Sequence, residues 1–152
     1  MGIQLTDEEL WAFVATSWTG ILTTLRRDGT PVPVPLWFVV TDERTIATTT
    51  LARSKKVSRL RRDPRATFLV ESGRLWTELK AAILVGHAQV VDDQDIVAGI
   101  QRQLDAKYPD ALGVARDERP DATKAHYAAS QVGIRFEATE PAVTWDNAKI
   151  RL

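Results

Sequence analysis

The sequence predicts a mainly β protein: a small antiparallel β-barrel with a few peripheral helices. Two observations predict it. Most segments with strand character are short and rich in β-branched residues, and the Asp28-Gly29 turn joins two of them as a hairpin. The length of 152 residues, with 44% hydrophobic and 26% charged side chains, suits a single domain over residues 1–152. Short antiparallel strands with peripheral helices, at this length, are typical of small barrels.

Local signals place the elements along the chain. Thr6 and Glu9 have the spacing of a capping box, which opens an amphipathic helix. Gly86 interrupts a long strand pattern and predicts a bulge or bend there. In chain order, we expect a helix over residues 6–15, strands over 20–25, 30–40 and 45–50, a helix over 54–63, strands over 66–71 and 81–91, a helix over 92–107, a polar loop over 110–122, a helix over 122–129, a strand over 132–138 and an irregular tail over 141–152.

The second strand of the hairpin has proline at alternate positions, Pro31, Pro33 and Pro35. Alternate positions of a strand face the same way, and each proline removes one N–H donor. We therefore expect this strand to be unpaired on one edge for part of its length, or to bend across a barrel corner.

The composition excludes several classes of site. The chain has no cysteine, which excludes disulfides, thiolate nucleophiles and cysteine-ligated metals. Its two histidines, His87 and His126, lie far apart and in no metal-ligand motif, so we predict no metal site. No apolar run approaches the roughly 20 residues that span a bilayer, and residues 1–9 are acidic where a signal peptide is basic. We expect a cytoplasmic protein without a membrane span.

Residues 53–65 are the most informative segment, because they hold seven basic side chains and one acid in a chain of zero net charge. Ser54 is the expected N-cap of a helix that ends at Asp63-Pro64, directly after a strand rich in threonine. A phosphate at this N-terminus would interact with the helix dipole, hydroxyls and ammonium groups together. The alternative is a solvated basic face. Because the segment lacks aromatic stacking residues, we prefer a small phosphorylated ligand and expect no nucleic-acid partner.

A set of ordered motifs covers nearly the whole chain. They are Gly20-x-Leu22-x-Thr24, Asp28-Gly29-x-Pro31, Pro35-x-Trp37-Phe38, Ser54-x-Lys56, Leu60-Arg61-Arg62-Asp63-Pro64-Arg65, Gly86-x-Ala88 and Thr144-Trp145-Asp146-Asn147-x-Lys149. The set resembles the split β-barrel superfamily of pyridoxamine 5'-phosphate oxidase-like flavoproteins, and is most similar to its actinobacterial branch of flavin/deazaflavin oxidoreductases. The resemblance implies an antiparallel split β-barrel of the FMN-binding type, which forms a homodimer with two cofactor sites at the subunit interface.

The resemblance also implies cofactor contacts. The family's phosphate-binding lysine lies eight residues before a proline, and Lys56 occupies that position here. Trp76 either caps the cofactor site from the partner subunit or packs at the dimer interface, and both alternatives stay open. The full set of implied cofactor-binding residues is Pro35, Trp37, Thr48, Thr49, Thr50, Ser54, Lys55, Lys56, Arg59, Trp76, Trp145, Asn147 and Lys149.

The function that the resemblance implies is a reductase using the deazaflavin coenzyme F-420, which transfers a hydride from the ring to a conjugated small-molecule acceptor. No Ser-His-Asp, Cys-His or paired-carboxylate pattern is present, so we nominate no catalytic residue. The phosphodiester and polyglutamate tail of F-420 suit a wide cationic field, and FMN is the alternative cofactor. A non-enzymatic protein that binds a cofactor or a tetrapyrrole, and a single-stranded nucleic-acid binder, are the alternatives from other classes.

Overall fold

The structure, a computed structural model, describes residues 2–109 and 118–150. Most of the predicted loop over 110–122 lies outside the described residues. The helices are α1 (Asp7–Thr16), α2 (Lys55–Arg62), α3 (Gln94–Lys107) and α4 (Asp121–Ala128), and the strands are β1 (Gly20–Leu25), β2 (Pro31–Leu36), β3 (Val39–Val40), β4 (Ile46–Leu51), β5 (Arg65–Ser72), β6 (Lys80–Val91), β7 (Gln131–Ala138) and β8 (Val143–Asp146). Two short 3₁₀ helices cover Trp76–Glu78 and Asn147–Lys149.

The strands form one antiparallel sheet that curls into a barrel. Its order is β2-β1-β5-β6-β7-β4-β3, and β8 pairs with β6. β2 and β3 lie at opposite ends of this order, yet only Trp37 and Phe38 separate them in the chain. The three Cα steps from Leu36 to Val39 span at most about 11 Å, so the two ends of the sheet must meet. The prediction of an antiparallel split barrel with peripheral helices is confirmed.

The hairpin is confirmed, but its second strand is not continuous. The N–H of Arg26 donates to the carbonyl of Thr30, and Gly29 has a φ of 84° in the turn between them. The expected strand over residues 30–40 is wrong in one respect, because it breaks after Leu36. β2 pairs with β1 while β3 pairs with β4, so the break is where the chain leaves one end of the sheet for the other.

β2 lies at the edge of the sheet, and its three prolines are solvent-exposed. Its only strand partner among the described residues is β1. This placement confirms the unpaired edge that the prolines predict, since a strand without N–H donors on one side cannot pair there.

The bulge predicted at Gly86 is wrong. The pairing of β6 with β5 runs through Gly86 without an extra residue, and the pairing with β7 ends at Gly86, opposite Ala138. A Cβ atom at this position would instead overlap the carbonyl oxygen of Glu137. The glycine therefore permits a close approach of the β7 backbone.

The irregular tail predicted over 141–152 is wrong for residues 143–149, which form β8 and a 3₁₀ helix. β8 pairs with Lys80–Ile83 of β6, the part of that strand which β7 does not reach. The N–H of Thr139 still donates to the carbonyl of Val85. The chain therefore continues along the same edge of β6 after β7 ends, a long-range pairing that local sequence does not encode.

The interior of the barrel is filled by side chains. Phe38, Phe68 and Phe136 are fully buried there, and the rings of Phe38 and Phe68 meet edge to face with centroids 4.8 Å apart. The remaining void is about 10 Å³, whereas ligand pockets typically measure about 300 Å³ or more. A ligand of that size has no space inside the barrel.

The helices cover the outside of the barrel. α1 begins with the predicted capping box, in which Thr6 Oγ1 accepts from the N–H of Glu9 at 3.2 Å. α3 packs Ile100 and Leu104 against β3 and β4 in a second, smaller apolar cluster. No helix in residues 2–109 or 118–150 is both long and apolar enough to cross a membrane.

Candidate functional site

A strand, a tight turn and a helix N-terminus follow one another at the end of β4. The N–H of Ser54 donates to the carbonyl of Leu51 at 3.0 Å, and α2 begins at Lys55. Ser54 is the N-cap residue, as predicted, but its hydroxyl makes no capping bond. Its Oγ atom is buried and has no hydrogen-bond partner among the described residues. The Val57 N–H donates to the Ser54 carbonyl, so the N–H groups of Lys55 and Lys56 are the first-turn donors that remain beside the unpaired hydroxyl.

Lys56 lies in the first turn of α2 and is half-buried. Burial lowers the pKa of its ammonium group, because a charged amine loses hydration there. Within the described part of the chain, no carboxylate forms an ion pair with it. A half-buried cation and a buried hydroxyl without partners, at a helix N-terminus, match the needs of a phosphate group.

The basic segment over residues 53–65 divides into two groups. Three of its arginines already bond within the chain: Arg61 to Asp92, Arg62 to the carbonyl of Leu25, and Arg65 to Asp63. The bonds from Arg65 lower the pKa of Asp63 to about 2. The other group, Arg53, Lys55, Lys56 and Arg59, makes no ion pair or side-chain hydrogen bond within residues 2–109 and 118–150. We call these four residues the cationic cluster.

The threonines of β4 do not all face the same way. Thr48 Oγ1 donates to the carbonyl of Trp37 at 2.7 Å, whereas Thr49 Oγ1 donates to Gln101 of α3 at 2.7 Å. Because side chains alternate along a strand, Thr50 lies on the same face as Thr48. The side chain of Thr49 points toward α3, so a ligand on the other face could meet only its backbone.

One edge of β4 is free for part of its length. β3 pairs only with Ile46 and Ala47, while β7 occupies the other edge of β4. From Thr48 to Leu51, the edge that faces away from β7 has no strand partner among the described residues. This free edge is about 10 Å long and leads directly to the N-terminus of α2.

The break between β2 and β3 lies beside the start of this free edge. The ring of Trp37 stacks on Tyr108, with centroids 5.2 Å apart and planes 16° apart, and the tryptophan is 37% exposed. The hydroxyl of Tyr108 accepts from the N–H of Phe38 at 3.1 Å. Lys107 donates to the carbonyls of Ser17 and Phe38, and burial lowers its pKa to about 8.

Sequence reasoning missed Lys107 and Tyr108, treating them only as the end of a helix. A signal for them exists. The apolar stripe of α3 contains Ile100 and Leu104, and a continuation at helical spacing falls on positions 107 and 108. A lysine and a tyrosine on the buried face of a helix are expected to bond to backbone groups there.

The C-terminal residues of the predicted site lie at the far end of β6. Asn147 is 8% exposed, and its Nδ2 donates to the carbonyl of Trp76 at 2.7 Å. Trp76 itself is 57% exposed, and Trp145 lies on β8 opposite Ala81. The side-chain donor of Asn147 is thus already bonded within the chain. Asn147 orients the segment that carries Trp76.

Lys149 is also bonded within the chain. Its ammonium lies 2.5 Å from the carboxylate of Glu9 and 2.8 Å from the carbonyl of Gln4. The bond to Lys149 lowers the pKa of the Glu9 carboxyl group. These contacts connect the C-terminal segment to the start of α1.

One chain therefore brings together the residues of α2, the free edge of β4 and Trp37, but not the C-terminal group. α2 ends beside Ala88 of β6, since the Ala88 N–H donates to the carbonyl of Pro64. β8 pairs with Lys80–Ile83, so its nearest pair lies five residues, or about 17 Å, from Ala88 along the strand. No group of three or more His, Asp or Glu side chains suited to a metal ion occurs in the described residues.

A profile described as pyridoxamine 5'-phosphate oxidase matches residues 6–140. The chain belongs to this family. The prediction made from the ordered motifs is confirmed, and the split barrel described above is the fold of the family. No curated protein matches the chain.

Three solved structures illustrate the likeness. A conserved hypothetical protein from Mycobacterium tuberculosis is 30% identical, with 97% of this chain and 88% of that chain covered and a TM-score of 0.80. An F420 reductase is 20% identical, with 87% and 94% covered and a TM-score of 0.64. A FAD-binding protein from Mesorhizobium loti is 20% identical, with 93% and 94% covered and a TM-score of 0.65. At these identities, the last two show the shared fold alone.

Proposed function

We propose that this protein is an oxidoreductase that binds the deazaflavin coenzyme F-420 and reduces a conjugated small-molecule acceptor. The observation that carries the proposal is the N-terminus of α2, where Lys56 and the Ser54 hydroxyl have no partners among the described residues. Membership of a family that includes flavin and deazaflavin proteins supports a cofactor of this kind.

In this proposal, the cofactor phosphate binds at the start of α2. Lys56 neutralises its charge, and the Ser54 hydroxyl and first-turn N–H groups donate hydrogen bonds to its oxygens. Lys55 and Arg59 extend the positive field outward. A bound anion would also offset the mutual repulsion of these closely spaced cations.

The cofactor ring then lies along the free edge of β4. The filled barrel interior requires an outer site, and unpaired backbone groups between Thr48 and Leu51 can bond to the polar edge of a ring. Trp37 borders the start of this edge, and Pro35 precedes it on β2. Thr48 is only 6% exposed and already donates to the Trp37 carbonyl, so the backbone of β4 from Thr48 to Thr50 would contact the ring.

When bound in reduced form, the deazaflavin supplies a hydride from its C5 position. The protein's own residues bind and orient: the cationic cluster holds the phosphate end, and β4 with Trp37 fixes the plane of the ring. Orientation at near-attack distance accounts for most of the expected rate gain. No acid or base is assigned to any residue, and the proton comes from solvent.

The cationic cluster bears on the choice of cofactor. F-420 carries a phosphodiester and a carboxylate-bearing tail, whereas FMN carries a single phosphate. Four unpaired cations match the more extended negative charge of F-420 better. FMN is the second candidate, and one observation favours it. Arg61, Arg62 and Arg65 are occupied by internal bonds and add little to an anion site.

We further propose that the protein forms a homodimer, with a cofactor site at each side of the interface. Leu75 and Trp76, neighbours in the chain, are 63% and 57% exposed and form an apolar surface before the start of β6, where β8 also pairs. Large exposed apolar side chains that lie close together mark interaction surfaces. A second chain that covers this surface could bring Trp76 to the cofactor ring of its partner.

The test is a titration of the purified protein with F-420, FMN and riboflavin at fixed salt, followed by ring fluorescence. Selective binding of F-420, followed by turnover of the reduced coenzyme with enones or quinones, is the expected result. Selective FMN binding would favour the second candidate. Binding without turnover across a panel of acceptors would indicate a non-enzymatic carrier, and failure of all three ligands to bind would contradict the proposal.

A further inference from the structure

The break between β2 and β3 is where the two ends of the sheet meet, and strand pairing alone does not fix it. β3 has only two residues, and β2 has β1 as its only strand partner among the described residues. Trp37 and Phe38 lie between them, outside both ladders. A conformation that pairing leaves open must be held by other bonds.

Lys107 supplies two of these bonds from the last turn of α3. Its ammonium donates to the carbonyl of Phe38 at 3.0 Å and to that of Ser17 at 2.8 Å. It also lies 4.0 Å from the centroid of the Phe38 ring. A cation shared between two carbonyls and an aromatic face ties the break to the segment that follows α1.

Tyr108 supplies the rest. Its hydroxyl accepts from the N–H of Phe38 at 3.1 Å and lies 2.8 Å from the carbonyl of Trp18, to which it can donate. Its ring packs edge to face on Trp18 and stacks in parallel on Trp37. The hydrogen bonds hold the backbone of the break, and the stack holds the indole plane of Trp37.

We propose that Lys107 and Tyr108 are positioning residues that hold the Trp37 indole as a rigid wall for a planar ligand ring. One face of the indole is against Tyr108, and Thr48 ties the carbonyl of Trp37 to the start of the free edge of β4. The identity of the ring rests on the proposed function. The rigidity of Trp37 does not, and it can be measured in the ligand-free protein.

The first measurement is near-ultraviolet circular dichroism of the ligand-free protein. The difference between wild type and Trp37→Phe isolates the signal of the ordered indole. Lys107→Met and Tyr108→Leu, which removes both the hydroxyl and the stacked ring, should each remove most of this signal. The far-ultraviolet spectrum should stay that of the wild type, and the matched control Lys124→Met should keep the near-ultraviolet signal. Lys107→Arg, which can still donate to both carbonyls, should restore it. Retention of the indole signal in both Lys107→Met and Tyr108→Leu would overturn the proposal.

The second measurement is a double-mutant cycle on ligand affinity. Loss of the contacts that Lys107 and Tyr108 make should weaken the binding of riboflavin and of FMN by the same factor, about three- to tenfold, because stacking acts on the ring and not on the phosphate. In a Trp37→Ala background, Tyr108→Leu should weaken neither ligand further. Full additivity of the two substitutions would contradict an action through Trp37. If the wild type binds no flavin or deazaflavin, the proposed function fails. The circular dichroism result then still decides whether Lys107 and Tyr108 hold Trp37 rigid.

Discussion

The buried amide of Asn147 donates its hydrogen bond to the backbone carbonyl of Trp76, the residue with one of the most exposed large side chains in the described chain. The N–H of Asn147 donates to the carbonyl of Leu79 at 2.9 Å, on the other side of the short helix. Both ends of the helix are thereby tied to the segment that follows β8. The exposure of the Trp76 ring is a fixed feature of the fold, which is what a surface that receives a partner or ligand requires.

Asn147→Asp should destabilise the protein by about 1–3 kcal/mol, because a carboxylate of the same size cannot donate to the Trp76 carbonyl and adds a buried charge. The free energy of unfolding in urea measures the change. Gln94→Glu is the matched control, since Gln94 also donates to two carbonyls but lies exposed on α3. If both variants lost the same free energy of unfolding, the buried bond from Asn147 to Trp76 would contribute no more than an exposed one.

Lys56→Met should weaken binding of F-420 and FMN by about 1.5–3 kcal/mol and leave riboflavin affinity unchanged, because only the phosphate contacts the ammonium. Fluorescence titration of the three ligands checks this. Arg61→Met is the control, since that arginine already bonds to Asp92. If Lys56→Met also weakened riboflavin binding, or if Arg61→Met lost as much affinity for F-420 and FMN, the phosphate would have to bind elsewhere.

Local chemistry in the sequence predicted much of the fold. The capping box at Thr6, the turn at Gly29 and the boundaries of α2 each depend on residues a few positions apart, and all three are confirmed. The strand break after Leu36 was not predicted, because Val39 and Val40 look like any continuation of a strand. Their pairing with β4 depends on how the whole sheet closes, which the local sequence does not specify.

In the candidate site, too, residues of one local motif were predicted together, whereas contacts with distant residues were not. The sequence placed Ser54 and Lys56 together at a helix N-terminus, since both belong to one local motif. It could not show that Asn147 and Lys149 use their side-chain donors internally, because their acceptors lie far away in the chain. The role of Tyr108 also depends on a distant partner, the backbone of Phe38.

Gly86→Ala should destabilise the protein by about 1–3 kcal/mol, since the added methyl group overlaps the Glu137 carbonyl and the strands must separate. Gly99→Ala, in the middle of α3, should instead stabilise by up to about 1 kcal/mol, because its Cβ meets no atom closer than 3.7 Å and alanine favours the helix. Urea unfolding measures both. A neutral Gly86→Ala would show that the bulge-free pairing of β6 with β7 tolerates a side chain.

The stability contributed by Lys107 should depend on pH. Its pKa falls from 10.5 to about 8 on folding, so above pH 8 the unfolded chain binds more protons than the folded one. Stability therefore rises with pH from about 8 upward, and the desolvation cost is fully present below that. Between pH 7 and about 9.5, the free energy of unfolding in urea should rise more for the wild type than for Lys107→Met. Tyr108 stays protonated over this range, because burial raises its pKa above the ordinary value.

Lys124→Met is the control for the loss of a surface lysine, since Lys124 pairs with Asp121 on α4. A wild-type stability that falls relative to Lys107→Met over this pH range would contradict the sign of the pKa change.

Light scattering should give a dimer, and Trp76→Glu should give a monomer that has lost cofactor affinity, because a charge at the centre of an apolar interface is left without solvation. Ile96→Glu is the matched control, since Ile96 is also a large exposed apolar residue, 41% exposed on α3. If Trp76→Glu stays dimeric but loses affinity, Trp76 contacts the ligand within its own chain. If the wild type is a monomer that binds cofactor fully, the site is complete in one chain and the apolar surface before the start of β6 serves another partner.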